Sequence, residues 1–243
     1  MLPPEHLALG SAIIFVAFLV RGFGGFGAAL VSTPLLVLFL DFKLVVACHG
    51  ILSVISGIQL ARSARHACAT EELPPLLIGL IAGLGIGVSA LVRFSTPELK
   101  RAFGVFTMVV ALRMLAGAAG TGRRFARRWG WVWGLVGGVT GGVFGASGPP
   151  TIFYLYGRLD NARALRATIL VAFLASDSVR LLILSAAGMI TPAVLQAATW
   201  FVPASIAGSA LGTRLHLRVN EVVLRRTISI LLLSAGFLFA AGR

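Results

Sequence analysis

Apolar residues run along this chain in long stretches broken by short polar or glycine-rich interruptions. Ten stretches can be cut, at residues 7–20, 27–40, 44–61, 73–92, 99–119, 129–146, 150–157, 164–187, 193–213 and 222–241. A helix needs about 20 residues to cross the hydrocarbon layer of a bilayer. Five stretches reach that length: 73–92, 99–119, 164–187, 193–213 and 222–241. Three are short, 7–20, 27–40 and 150–157, and read as half-helices. Glycine-rich runs separate the first two stretches (Gly22-Phe-Gly-Gly-Phe-Gly27) and the sixth from the seventh (Gly141-Gly-Val-Phe-Gly-Ala-Ser-Gly-Pro-Pro150).

The punctuation repeats. Each half has an apolar stretch, a glycine-rich break, a proline pair or Thr33-Pro34 opening a short stretch, and an acidic loop residue (Asp41, Asp160). Three longer helices follow in each half. The offset between halves drifts from 116 to 119 residues on this alignment. A hairpin plus three crossings is an odd number, so the second copy is expected to be inverted. The expected fold is therefore an all-α polytopic membrane protein of two inverted repeats. Each repeat is a broken or re-entrant helical hairpin plus three transmembrane helices. The expected boundaries are residues 1–120, a basic cytoplasmic linker at 121–128, and residues 129–243.

Composition narrows the class further. Charged residues are 12% and hydrophobic residues 58% of the chain, with a mean hydropathy of +0.95. A soluble domain carries about a quarter charged residues, so soluble, disordered and fibrous classes are excluded. The net charge of +13 would point to nucleic acid in a soluble protein. Here the basic residues punctuate apolar runs, and no nucleic acid partner is expected. One set of loops holds 13 of them: Arg62, Arg65, Arg123, Arg124, Arg127, Arg128, Arg158, Arg163, Arg166, Arg214, Arg218, Arg225 and Arg226. The other set holds five: Lys43, Arg93, Lys100, Arg101 and Arg243. The positive-inside bias places the first set in the cytoplasm and both termini outside. Cys48 and Cys68 have neither redox nor zinc spacing, and no metal or cofactor is expected. The first residues carry Glu5 and no basic segment, so no cleavable signal peptide is read there.

The breaks are where chemistry can occur. Irregular backbone at membrane depth is tolerated only where protein buries it or a wet cavity satisfies it. A half-helix N-terminus offers free N–H donors and a partial positive charge. Two such ends facing each other near the bilayer midplane would hold an anion, as broken helices do in inverted-repeat transporters. The candidate lining is Gly24, Gly25, Gly27 and Thr33 in the first half, with Gly145, Ser147, Gly148 and Pro149 in the second. The competing reading is close helix packing. It suits Gly79, Gly83 and Gly87, while Gly134, Gly138 and Gly142 share their four-residue spacing. Residues 22–27 also spell G-x-G-x-x-G, but an apolar membrane segment precedes them rather than a strand, which removes a dinucleotide reading.

Ionisable residues at membrane depth are functional candidates. Arg21 ends the first stretch, as a substrate-binding charge or as an interfacial arginine. Asp177 and Arg180 lie three apart inside 164–187 and can pair on one helical face. They are candidates for coupling, with a simple intrahelical ion pair as the alternative. Arg113 is assigned no role. His49, Ser53 and Ser56 share a face of 44–61, with Thr168 as their counterpart in the second half. His49 reads equally as a core hydrogen-bonding residue. Thr168 and Asp177 are about half a turn out of phase, so both cannot line one straight cavity face.

The stretch from Gly137 to Gly188 resembles the sulfite exporter TauE/SafE family, within the toluene sulfonate uptake permease superfamily. The carrying residues are Gly141 to Pro150, then Arg166-Ala-Thr168, then Asp177-Ser-Val-Arg180. The first half matches through Gly22 to Gly27 and Pro34. The resemblance implies a prokaryotic inner-membrane permease for sulfite or an organosulfonate, with no nucleotide-hydrolysing subunit. The partners expected are that small anion, the lipid bilayer and, left open, a second copy of the chain. One departure is Ala47-Cys-His49, where family members often carry Gly-Thr-Ser. The function expected is a secondary transporter working by alternating access, with proton coupling through Asp177 or His49 left open. The alternative is an anion channel of the same architecture. An enzyme is not expected, since no paired-histidine metal motif, nucleophile elbow or acid pair is present.

Overall fold

The computed structural model describes residues 3–116, 125–215 and 221–240. Arg123, Arg124, Arg218 and Arg243 of the basic count, and residues 121–124 of the linker, lie outside the described residues. Among the described residues the chain is helical, with no strand. The first half holds α1 (Pro4–Gly24), α2 (Ala28–Leu36), α3 (Phe42–Ala64), α4 (Leu73–Arg93) and α5 (Thr96–Leu115). The second holds α6 (Gly130–Phe144), α7 (Gly148–Tyr156), α8 (Ala162–Ala186), α9 (Pro192–Leu215) and α10 (Glu221–Ala240).

Local chemistry sets the helix ends. Ser95 and Glu98 form a capping box at α5, with the Ser95 N–H donating to Glu98 at 2.8 Å. Asn161 caps α8 by accepting from the Arg163 and Ala164 amides. α1 and α6 both stop at a glycine in the left-handed region, Gly25 (φ 82°) and Gly145 (φ 74°). An L side chain disfavours that conformation, so glycine is what lets the chain turn there.

The first stretch is a correction. Its apolar length predicts a half-helix, yet α1 has 21 residues and is long and apolar enough to cross a bilayer. Polar residues at its ends, Glu5 and His6 at one and Arg21 at the other, carry the helix past the apolar cut. α2 and α7 are short, nine residues each. The register between halves is also corrected. Gly24 and Phe144, Ala28 and Gly148, and Phe42 and Ala162 bound equivalent helices at a steady offset of 120. Thr33-Pro34 therefore does not correspond to Pro149-Pro150. Pro34 lies inside α2, whereas Pro149 lies in the opening turn of α7.

Packing crosses between the halves. α1 packs on α9, α6 on α4, α3 on α8 and α5 on α10. The glycines of α4 and α6 face one another. A Cβ on Gly83 would overlap the Leu135 carbonyl, and one on Gly138 would overlap that of Leu80. Backbone contact this close is what small-residue spacing provides in a membrane. Large apolar side chains face outward, among them Leu182 at 70% exposure and Phe237 at 69%, while arginines and an aspartate are buried inside. That inside-out distribution suits a lipid surround.

The loops gather at two ends. At one, Glu72 accepts from Arg158 (Nη2 to Oε1, 2.6 Å) and from the Tyr154 hydroxyl (2.9 Å), and Arg158 Nη1 donates to the Phe125 carbonyl. The Glu72 hydrogen bond pushes the Arg158 guanidinium above its ordinary pKa. The Ala69 amide donates to Thr168 at 3.0 Å at the same end. At the other, Asp41 caps α3 and accepts from Thr96, and Lys43 reaches the Val92 carbonyl. The His6 ring packs on Phe39 near that second end.

Candidate functional site

The two glycine breaks touch. The Phe26 ring lies 3.1 Å from where a Cβ on Gly148 would stand, and the Ala29 methyl lies 3.6 Å from the equivalent point on Gly145. Between them is a cleft of about 360 Å3 counting its open mouth. The Ala28, Ala29 and Leu30 amides open α2 with no carbonyl one turn earlier, because Gly27 (φ 96°) turns the chain away. Val31 makes the first helical bond, to the Gly27 carbonyl at 3.1 Å. In α7, Pro149 and Pro150 supply no N–H, so Gly148 carries the amide of that turn. The two breaks thus contribute donors unequally.

Arg21 stands in the last turn of α1, where a cation suits the negative helix end. It is 5% exposed. Its Nη1 donates to the Ser53 hydroxyl at 2.7 Å, and its Nη2 pairs with Asp177 at 3.0 Å. Ser53 Oγ lies 3.0 Å from His49 Nδ1. Which of the two donates depends on the histidine tautomer, because the Ser53 oxygen can accept from Arg21 and from a second donor. His49 Nε2 is buried with no partner among the described residues. Arg21, His49, Ser53 and Asp177 all line the cleft.

Several expected residues meet here: Arg21, Gly27, His49, Ser53, Gly145, Ser147, Gly148, Pro149 and Asp177. Others stand apart. Gly24 and Gly25 shape the end of α1, with Gly25 against Ile169 and Leu170. Thr33 is buried within α2, outside the cleft lining. Thr168 bonds the Ala164 carbonyl and the Ala69 amide and serves the loop contact instead. Its phase on α8 accounts for this. The expected Asp177–Arg180 pairing is also corrected. Asp177 pairs across the bundle with Arg21, and Arg180 donates through Nη2 to the Val46 carbonyl of α3 at 2.9 Å. Arg180 Nε and Nη1 have no partner among the described residues.

Phe26 and Phe173 also line the cleft, and no sequence pattern singles them out. Arg166 reads from sequence as a cytoplasmic basic residue and as part of the Arg166-Ala-Thr168 motif, with no contact assigned. Its Nη2 donates to the Gly22 carbonyl at 2.7 Å and caps the end of α1. The spare carbonyls of a helix that stops inside a protein are the signal that could have found it.

Apolar-surfaced helices around two abutting breaks and a buried cluster of charges define a multi-pass membrane protein with an internal polar site. The profile of the family described as "Sulfite exporter TauE/SafE" matches residues 10–239. The chain belongs to that family, whose members are membrane transporters of the sulfur-anion exporter type and not enzymes. The substrate class that this family suggests is a small sulfur anion. No curated protein and no solved structure matches the chain.

Proposed function

We propose that this protein carries sulfite or a small organosulfonate across a prokaryotic cytoplasmic membrane by alternating access of two inverted halves. The observation that carries the reading is the convergence of both breaks on one cleft, faced by buried Arg21 and the partnerless His49 Nε2. Sulfonate oxygens accept from the α2 amides, from Gly148 and from His49, while Arg21 supplies the charge. Asp177 holds Arg21 in place beside the anion, and it is the candidate for proton coupling, with His49 as the alternative. Arg180 makes no hydrogen bond to Asp177 and is not assigned to coupling.

Inversion is supported by the ends that the loops share. α1 begins near Phe39, at the Asp41–Thr96 end, whereas α6 begins at the end held by Glu72 and Tyr154. The test is counterflow of labelled sulfite and methanesulfonate in proteoliposomes. Saturable counterflow that Arg21→Ala abolishes is expected. Unitary currents without counterflow would replace the carrier with a channel, and no anion-dependent flux at all would end both readings.

A further inference from the structure

The buried charges around the cleft do not balance. Arg21, Asp177 and Arg180 are 5%, 8% and 1% exposed, and only one of the three is negative. Among the described residues the other elements at the cleft add no acidic group and no further arginine or lysine: α3 brings Ser53 and His49, counted as the uncharged imidazole, and the first turns of α2 and α7 hold no ionisable residue. One positive charge is left over. Arg180 is the group on which it falls, because Asp177 is held by Arg21 while the partner of Arg180 among the described residues is the Val46 carbonyl.

A buried guanidinium with partnerless N–H groups is unfavourable unless something satisfies it. Its Nε and Nη1 have no partner among the described residues. What stands between it and the cleft is Gly145, whose Cβ position lies 3.3 Å from Nη2 and 3.4 Å from Nη1. Gly145 itself lines the cleft. Arg180 does not itself line the cleft, and no side chain on Gly145 lies between the two.

We infer that Arg180 is the second anion-binding cation of the cleft and that the site is matched to a singly charged oxyanion. This rests on the anion-site reading above and adds the substrate's charge to it. A monoanion between Arg21 and Arg180 cancels the surplus. A dianion reverses its sign and buries a net negative charge among apolar helices.

Two tetrahedral probes separate charge from shape: methanesulfonate carries one charge at neutral pH and sulfate two. Binding is measured by isothermal titration calorimetry on the full chain in lipid nanodiscs at pH 7.5. The wild type should prefer methanesulfonate by about tenfold or more. Asp177→Asn raises the surplus to two and should move the preference toward sulfate by about tenfold. Arg180→Gln removes the surplus and should weaken methanesulfonate by about tenfold, with Arg180→Lys recovering part of the loss. Asp177→Asn carries the test by itself if Arg180→Gln does not fold. A methanesulfonate-to-sulfate ratio that is unchanged in Asp177→Asn, or a wild type that prefers sulfate, overturns the charge match and leaves the anion site standing. Failure of a folded wild type to bind either probe overturns the anion site and this inference together.

Discussion

Arg21 makes two bonds that diverge from one planar group, Nη1 to Ser53 and Nη2 to Asp177. A lysine keeps the charge but presents a single point, and it cannot hold a hydroxyl and a carboxylate in that fork. Arg21→Lys should therefore lower the initial rate of sulfite uptake into proteoliposomes by more than about tenfold, since a buried polar group left without its partner costs about 1–3 kcal/mol. Uptake near the wild-type rate would mean that charge alone is what the position supplies. Sequence marks Arg21 and Asp177 as candidates, because charge at membrane depth is costly and needs a reason. It does not mark their pairing. They lie 156 positions apart, whereas helical periodicity relates Asp177 only to neighbours such as Arg180. The nearer arginine turns to the Val46 carbonyl, and nothing local to α8 encodes that choice. Phe173 escapes for a related reason: an aromatic residue in an apolar run looks the same whether it meets lipid, core or a cleft.

Helices here meet through glycine, and each such contact is a steric condition that can be tested singly. Gly83 and Gly85 lie two residues apart on α4. A Cβ on Gly83 would overlap the Leu135 carbonyl of α6, whereas a Cβ on Gly85 has nothing within 4 Å. Gly83→Ala should destabilise the protein by about 1–3 kcal/mol or more through overpacking. Gly85→Ala should be neutral or stabilise by about 0.5–1 kcal/mol, because alanine is the better helix former. Thermal unfolding in detergent, followed by tryptophan fluorescence or circular dichroism, distinguishes the two. Equal behaviour would mean that α4 and α6 do not approach as closely as their backbones indicate. Four-residue glycine spacing reveals the packing face of α4 from sequence, though not that α6 is its partner. Hydropathy underestimates the length of α1 because it marks only where a chain is apolar. A helix continues until a residue such as Gly25 takes a left-handed turn. The register between halves is obscured similarly, since Pro34 and Pro149 look alike as punctuation but hold different places in their helices.

The two halves are interlocked rather than side by side: α1 leans on α9 and α6 on α4, so each half's opening helix is held by the other half's fourth helix. Any rearrangement that opens the cleft to one face must move these pairs together, and the direction in which it opens depends on how the molecule sits in the bilayer. The arginine bias gives one answer, with the α3–α4 loop inside. The geometry groups that loop with two other basic segments, since Glu72 and Ala69 bond to Arg158 and Thr168 and the Tyr154 hydroxyl reaches the Arg127 carbonyl. One residue reports on the whole group. Cys68 lies in this loop and is partly exposed, whereas Cys48 is buried. A membrane-impermeant maleimide should leave Cys68 unmodified in intact cells and modify it in inverted membrane vesicles, with Cys68→Ser abolishing the vesicle signal. Modification from outside would place the arginine-rich end on the exterior and both termini within. The cleft, the breaks and the buried charges would keep their geometry, but the direction assigned to each half would exchange.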